Sequence, residues 1–576
     1  MTELFFPRLS QGKPKQPAVQ PMSSFWLCAW SLTLAMGWLL PNHYPPWSGF
    51  HFEAWVSAAF VLSSAAVLLR SPAPARWTGL CLLVMVLVFV PALQYAFGLV
   101  TMAGNAWVST AYLLGFLLAL LIGARWESAC PAQPADGLFL AIGMAAVVSV
   151  GLQLHQWLGL DRLDIWSMGE GFGRPFANFG QPNQLGTFLL WGLVATIWGL
   201  VRRHVGGRVA VLLALFLLFG LALTASRTAW IGAALLVLAA WWWRGAWSSP
   251  RIPVVITCLA LCFVLFVLSA GWLSQILGGG VAFEAGVIQR ISGESRPAIW
   301  ALFIDGATKQ PWAGYGWNQV ALAQMAVALD HPPLRVFFSH SHNLFLDLIL
   351  WCGIPVGLSL SAALLWWLCM RVRAVRNAEE AVMVLFLLVV TNHAMLELPL
   401  HYAYFLLPTG LMMGSLESRF AVRPILQCHR WVVMALWVIA VALWSLIIRD
   451  YMRVESSYKT LRFEWANIKT EPAKTPDVTL LTQWRDFFRM IRLEPARAMT
   501  EAELAWMRNV TGLYPSAGFF QKLATAMALN QRPDDAVLSL RQMCRIVSEQ
   551  QCLAVKFAWE NLAKSEPLIA KVPWPN

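Results

Sequence analysis

Apolar stretches of about 20 residues recur along the chain, and each is long enough to cross the hydrocarbon core of a bilayer as a helix. They begin near Phe25, Ala54, Trp77, Ala106, Gly137, Leu185, Val209, Ala229, Val254, Leu344, Ala381, Tyr402 and Trp431. At membrane depth a segment must satisfy its own backbone hydrogen bonds, so each stretch folds as an α-helix. The expected fold is all-α, a polytopic membrane protein with about thirteen transmembrane helices. Composition agrees, with 58% hydrophobic and 12% charged residues against roughly 45–50% and 25% in a soluble domain. So much apolar surface cannot be covered by polar groups and must face lipid. The abundance of Gly, Pro and Trp excludes a coiled coil, a disordered chain and a disulfide framework.

The net charge of +12 has no basic tail or basic amphipathic domain behind it; Lys and Arg are scattered between apolar stretches. That spacing argues for topology and against a nucleic-acid partner. With the N-terminus inside, 17 loop cations fall on the inner side, including Arg70, Arg125, Arg202, Arg371 and Arg419. Seven fall outside: Arg162, Arg174, Arg227, Arg290, Arg296, Lys309 and Arg335. This is the expected bias of inner loops toward positive charge. The polar stretch to Gln20 precedes a full-length span without a small-residue cleavage site, and reads as an uncleaved signal-anchor.

An odd number of spans leaves the segment after Arg449 outside. There charges become frequent and apolar residues recur at helical spacing, as in Leu504, Ala505 and Met507. The run from Tyr514-Pro515 through Leu523-Ala524 to Arg532-Pro533 has the pattern of a tetratricopeptide-type helical hairpin. Two or three such hairpins form either a small cap or a docking surface for a partner. Eight of ten cysteines lie in or beside spans; Cys544 and Cys552 lie in this tail. Residues eight apart on one continuous helix are about 12 Å apart, so a bridge between them requires an intervening turn.

Most histidines, among them His155, His340, His342, His393 and His401, gather toward the outer face. A transporter would instead place polar groups near the midplane between two repeats, and no repeat is present. The longest non-spanning segment, about 275–341, contains Arg290, the stretch Glu294-Ser295-Arg296-Pro297-Ala298-Ile299-Trp300, and a Gly- and aromatic-rich turn through Trp317. It ends in Ser339-His340-Ser341-His342-Asn343, which leads directly into a span. His342 therefore stands at a helix N-terminus, where free N–H groups favour an anion.

His342-Asn343 followed by Gly353 and Gly357, together with Ser226-Arg227 and Arg296…Trp300, resembles the signature of the bacterial O-antigen ligase and polysaccharide polymerase superfamily. The stretches Phe176-Ala177-Asn178-Phe179-Gly180-Gln181-Pro182-Asn183-Gln184 and His393-Ala394-Met395-Leu396-Glu397-Leu398-Pro399-Leu400-His401-Tyr402-Ala403-Tyr404 resemble its protein-glycosylating branch, the pilin-type protein O-oligosaccharyltransferases. Leu398 departs from that pattern, where an aromatic residue is expected. The resemblance implies an inner-membrane enzyme with its site and C-terminus in the periplasm. It would transfer a glycan from an undecaprenyl diphosphate carrier to Ser or Thr of a periplasmic protein such as pilin. On this reading residues 1–22 are cytoplasmic, 23–274 hold spans one to nine, and 275–341 form the large periplasmic loop. Residues 342–449 then hold spans ten to thirteen, and 450–576 form the periplasmic helical domain. A lipid A core acceptor or polysaccharide polymerisation is the alternative within the superfamily; a lipid or polysaccharide transporter is the alternative outside it.

The resemblance assigns diphosphate stabilisation to Arg227 and Arg296, with Arg174 and Arg290 as weaker candidates, because guanidinium pairs with phosphate and keeps its proton. His342 is either the general base for the hydroxyl or a protonated phosphate ligand. Gln181, Asn183, His340, Asn343, Glu397, Tyr402 and Tyr404 are candidate substrate-binding residues. For Arg227 and Arg174 the plain alternative is snorkelling to lipid phosphate, and for His393 and Glu397, one turn apart, a structural hydrogen-bonded pair. No cofactor or metal is expected. The outer face has no Asp-x-Asp pair, and His340 and His342, two residues apart, would point away from each other on a helix.

Overall fold

The computed structural model describes residues 22–70, 73–160, 163–167, 174–277, 296–468 and 471–575. The apolar stretches form α1 (Ser24–Gly37), α2 (Phe50–Arg70), α3 (Gly79–Ala96), α4 (Ala103–Ala129), α5 (Gln133–Trp157), α6 (Pro182–Val201), α7 (Gly207–Leu223), α8 (Arg227–Trp242) and α9 (Arg251–Ile276). Two short helices follow, α10 (Arg296–Lys309) and α11 (Val320–Val327). The chain then re-enters the bundle through α12 (Leu344–Cys352), α13 (Ile354–Ala374), α14 (Ala378–Ala394), α15 (Ala403–Arg419) and α16 (Arg430–Trp465). Each of the thirteen expected starts falls on or beside a helix. Among the described residues, α2, α3, α4, α5, α6, α9, α13 and α16 are long and apolar enough to cross a membrane.

Three features depart from the expected succession of plain helices. The stretch beginning near Leu344 is two helices, because Gly353 takes φ +81° and breaks the ladder between α12 and α13; a side chain there would meet the Trp312 backbone. The fold is not purely helical either: β1 (Ala75–Trp77) pairs antiparallel with β2 (Leu426–Cys428). The β1 and β2 segments follow α2 and α15 respectively, so their backbone groups find partners across the two connections. Finally, α16 runs 36 residues without interruption and carries the chain past Arg449.

The centre of the bundle is the crossing of α4 and α15. Gly410 and Gly414, one turn apart on α15, lie against Phe116, Ala119 and Leu120, and Gly123 of α4 faces the Leu411 carbonyl. Small residues at such a crossing let backbones approach closely, the main source of attraction between helices in lipid. One end of the same helices is fastened by charge: Arg419 bonds Glu127 at 2.7 Å and Glu379 at 2.5 Å, and Arg202 bonds Glu379 at 2.8 Å and Asp136 at 3.3 Å. That network joins α4, α5, α6, α14 and α15.

After α16 come α17 (Thr482–Arg492), α18 (Glu501–Leu513), α19 (Ala517–Leu529), α20 (Pro533–Ile546), α21 (Glu549–Ser565) and α22 (Pro567–Ala570). Capping boxes start α18, with Thr500 and Glu503, and α21, with Ser548 and Gln551. Cys544 and Cys552 are bridged, and the turn that separates α20 from α21 brings their Cα atoms to 5.1 Å. The apolar core of these helices includes Met102 and Ala328, so it continues onto the bundle and the large loop. Gln542 donates to the Met325 carbonyl at 3.2 Å, and the Arg335 amide donates to the Arg545 carbonyl at 3.1 Å.

Substituting Gly414→Leu forces a side chain into the Leu120 backbone and should cost about 3 kcal/mol. Thermal unfolding in detergent should show the loss, while Gly206→Ala, with open space around it, should leave the transition unchanged.

Candidate active site

Between α14 and α15 the chain reverses through Met395–Leu398 and a single 3₁₀ turn, Pro399–His401. Pro399 has no N–H and cannot continue a helix, so α14 stops short and the Glu397 carboxylate points into the protein. Its side chain is 5% exposed. Oε1 accepts from Arg296 Nη2 at 3.3 Å and from Asn183 Nδ2 at 3.1 Å. Oε2 accepts from His342 Nδ1 at 3.1 Å, and His340 Nε2 stands 3.9 Å away. Four segments far apart in sequence thus meet on one carboxylate.

The loop before α12 is built to present its histidines. The Asn343 side chain caps the helix by accepting from the Phe345 and Leu346 amides, and its Nδ2 donates to the Met395 carbonyl at 3.2 Å. One side chain therefore both starts α12 and ties it to the Glu397 reversal. The Ser341 amide donates to Asp347 at 2.8 Å. His342 takes φ +60°, a left-handed conformation that a non-glycine residue adopts only at a cost. That turn sets the His342 ring 4.2 Å from the ring of His340. The rings converge because this stretch is a loop rather than the helix on which they were expected to diverge. Together with Glu397 they place possible ligand atoms within 4.8 Å of one another.

The segment before α6 supplies a further partner. Gln156 accepts from the Phe176 and Ala177 amides, and Gln153 donates to the Pro175 carbonyl. Arg174 Nε donates to the Thr224 carbonyl at 3.0 Å, which fastens the segment to the end of α7. Ser226, the cap of α8, donates to Asn183 Oδ1 at 2.6 Å, and Asn183 passes the contact on to Glu397. Arg227 follows Ser226 as the first residue of α8 and is half-buried. Gln181 sits at the start of α6 with its side chain outside any capping bond.

Several expectations need correcting. The His393–Glu397 side-chain pair does not form: Glu397 turns toward Arg296, Asn183 and His342, and their only bond is between backbone groups, Glu397 N to His393 O at 2.8 Å. Tyr404 is a packing residue, 3% exposed, with its hydroxyl donating to Gln184 at 3.0 Å. Tyr402 stacks on it with ring centres 5.1 Å apart and remains half-buried. Arg290, and with it Glu294 and Ser295, lies outside the described residues. Sequence reading gave no role to Gln153, Gln156 or Gln184; an amide in the middle of an apolar helix is the signal that marks them.

Burial works against ionising Glu397, but the His340 and His342 imidazoles facing it outweigh that and hold its carboxyl far below the usual carboxylate range. Burial pushes the His340 ring below its ordinary value, against the pull of Glu397. With Glu397 anionic, a bond to His342 Nδ1 requires the proton on that nitrogen and leaves Nε2 as the free position. The cluster can therefore present fixed cationic donors and one correctly oriented imidazole to a ligand in the same space.

Three family models match the sequence: protein glycosylation ligase over 175–198, O-antigen ligase over 210–361, and the C-terminal part of a virulence factor membrane-bound polymerase over 381–561. A general O-oligosaccharyltransferase of Acinetobacter baylyi is 29% identical over 551 residues, covering 94% of this chain and 95% of the relative. A ComP-specific O-oligosaccharyltransferase of the same organism is 28% identical over 256 residues, 43% of this chain and 44% of the relative. The matched regions contain Asn183, Arg227, Arg296, His342 and Glu397.

Because folding lowers the Glu397 pKa, its ion cluster stabilises fully above the ordinary carboxylate range, about pH 4.3, and that contribution is lost only as the pH falls well below it. Glu397→Gln should therefore cost about 3 kcal/mol at neutral pH, the penalty of stranding buried charge. Melting curves against pH should show the difference from the parent narrowing only under strongly acid conditions.

Proposed function

We infer that the chain belongs to the protein O-oligosaccharyltransferases of the O-antigen ligase superfamily, and that it transfers a preassembled glycan en bloc from a lipid-linked donor to hydroxyl groups of an acceptor protein. The observation that carries this reading is the convergence of Arg296, His342 and the Asn183–Ser226 pair on Glu397. The donor is an undecaprenyl diphosphate and the acceptor a Ser or Thr of a periplasmic protein such as pilin. The protein lies in the inner membrane with this cluster and the C-terminal domain on the periplasmic side. Thirteen segments cross, the short helices α1, α7, α8, α14 and α15 among them, and the C-terminal helices are stacked tetratricopeptide-like hairpins.

In the reaction the acceptor oxygen forms a bond to the anomeric carbon as the bond from that carbon to the diphosphate oxygen breaks. The hydroxyl proton passes to His342 Nε2, and the diphosphate leaves as an anion on its lipid. Glu397 holds the His342 tautomer and aligns Arg296, the arrangement by which a carboxylate orients a catalytic imidazole. Arg296 and Arg227 stabilise the charge developing on the diphosphate. Arg174, whose Nε is committed to a backbone carbonyl, steadies the loop in front of them. Gln181, His340, Asn343 and Tyr402 line the approach of sugar and acceptor. The guanidinium groups supply the positive charge that a divalent ion provides in other lipid-linked glycosyl transfers, so the reaction proceeds without one.

Reconstitution with an undecaprenyl diphosphate glycan and a pilin should give a mass shift on the pilin. Glycan appearing only on lipid A core would assign the chain to the ligases instead. His342→Ala and Arg296→Ala should insert normally and lose at least about a hundredfold in rate; full activity in either removes that residue from the mechanism. EDTA should leave the rate unchanged, and a loss restored by magnesium or manganese would assign the His340–His342–Glu397 cluster to a metal.

A further inference from the structure

We propose that a polar cavity at the end of the bundle opposite Glu397 binds a phosphate-bearing anion at the depth of the lipid headgroups. The cavity lies between β1, β2, the last turns of α4 and α15, and the start of α16, and has a volume of about 560 Å³. Its distance from the candidate active site follows from α15, which starts at Ala403 just after the Glu397 reversal and reaches the cavity with Glu417 and Ser418 in its last turn. Nothing in the proposed transfer reaction uses it.

Helix length sets the depth. With 27 residues α4 is about 40 Å long, some 10 Å more than a hydrocarbon core, and it is apolar enough to cross one. Its ends therefore reach the headgroup layers. Arg125 stands four residues, about 6 Å, before the last residue of α4, which is where lipid phosphates lie. Arg125 is half-buried and lines the cavity. Arg76 and Gln427 border it too; they are directly opposed in the strand pair, so their side chains share one face of it, and both are exposed.

The lining is rich in donors. Two guanidinium groups offer forked N–H pairs that match phosphate oxygens. The hydroxyls of Ser128 and Ser418 are 2.7 Å apart on the same wall; whichever of them donates to the other, one proton remains for a ligand oxygen. Glu417, the carboxylate that borders the cavity, is 2% exposed and accepts from Arg371 at 2.7 Å and from Trp367 at 2.9 Å. Its charge is thus already met, and the lining keeps a positive balance. Arg430, at the start of α16, adds a like charge near Arg125, and an anion in the cavity is favoured by both. The remaining wall includes Leu121, Ile122 and Val433, an apolar surface that suits the substituent of a phosphate ester better than a bare ion.

The test uses the full chain in phosphatidylcholine nanodiscs at constant ionic strength. One arm adds phosphatidylglycerol to the bilayer, and the other adds inorganic phosphate to the buffer. The melting temperature should rise in a saturable way in at least one arm. Arg125→Gln should raise the half-saturating amount about tenfold, the effect of removing a charged donor. A rise with phosphatidylglycerol alone, with that lipid retained in native mass spectra of the parent and lost from the variant, supports the site and assigns the phosphate to a headgroup. A rise with inorganic phosphate that the variant weakens supports the site and assigns it to a soluble ligand. No rise in either arm, or a rise that Arg125→Gln leaves unchanged, overturns the proposal. Arg76 is exposed, so Arg76→Gln, with the same expected weakening, decides the matter should Arg125→Gln fail to fold. Transfer is not measured in either arm, so the result stands apart from the glycosyltransferase reading.

Discussion

A single buried carboxylate holds one end of this bundle together. Glu397 is nearly inaccessible, and desolvating a carboxylate costs several kcal/mol unless partners compensate. Here they do: a guanidinium, an imidazole and an amide bond its two oxygens, with a second imidazole close by. The consequence runs outward from that atom pair. The reversal between α14 and α15, the loop before α12, the start of α10 and the start of α6 are placed by what each contributes to it.

The opposite end of the bundle uses the same physics for a different purpose. Arg419, Arg202, Glu127, Glu379 and Asp136 also form a connected set of ion pairs, in which three carboxylates outnumber two guanidinium groups and His204 stands 3.4 Å from Asp136. Around Glu397 one guanidinium and two imidazoles share a single carboxylate, which sets an imidazole nitrogen beside a fixed cation. Between the two ends apolar contacts predominate, centred on the glycines of α15 against α4. Apolar packing is spread through the bundle, whereas the two polar clusters are local.

The spans were legible because hydrophobicity over twenty residues is a local property, and their starts agree with the helices found. The His342-Asn343 segment was legible for a similar reason: polar residues abutting an apolar run mark a helix start, and Asn343 is indeed the cap. Pairings across long separations were not. Glu397 reaches Asn183 over 214 residues, and nothing in its immediate sequence distinguishes that partner from His393, which is one turn away. The convergence of His340 and His342 depended on a left-handed backbone at a residue other than glycine, which composition does not announce. The β1–β2 pairing was equally hidden, since three-residue strands carry no periodicity. Cys544 and Cys552 stood between these cases: spacing stated the geometric condition for a bridge, and the turn after α20 meets it.

The loop leading to His340 receives part of its support from α20 and α21. Arg335 is held through its amide by Arg545 and through its guanidinium by Glu549, and Met325 by Gln542. Those partners are made more than two hundred residues later. During synthesis the helices of the bundle come first, and this loop gains its full set of contacts only once α20 and α21 have been made. The segment that carries His340 and His342 is thus completed late, and a chain cut short before α20 would lack part of what holds it.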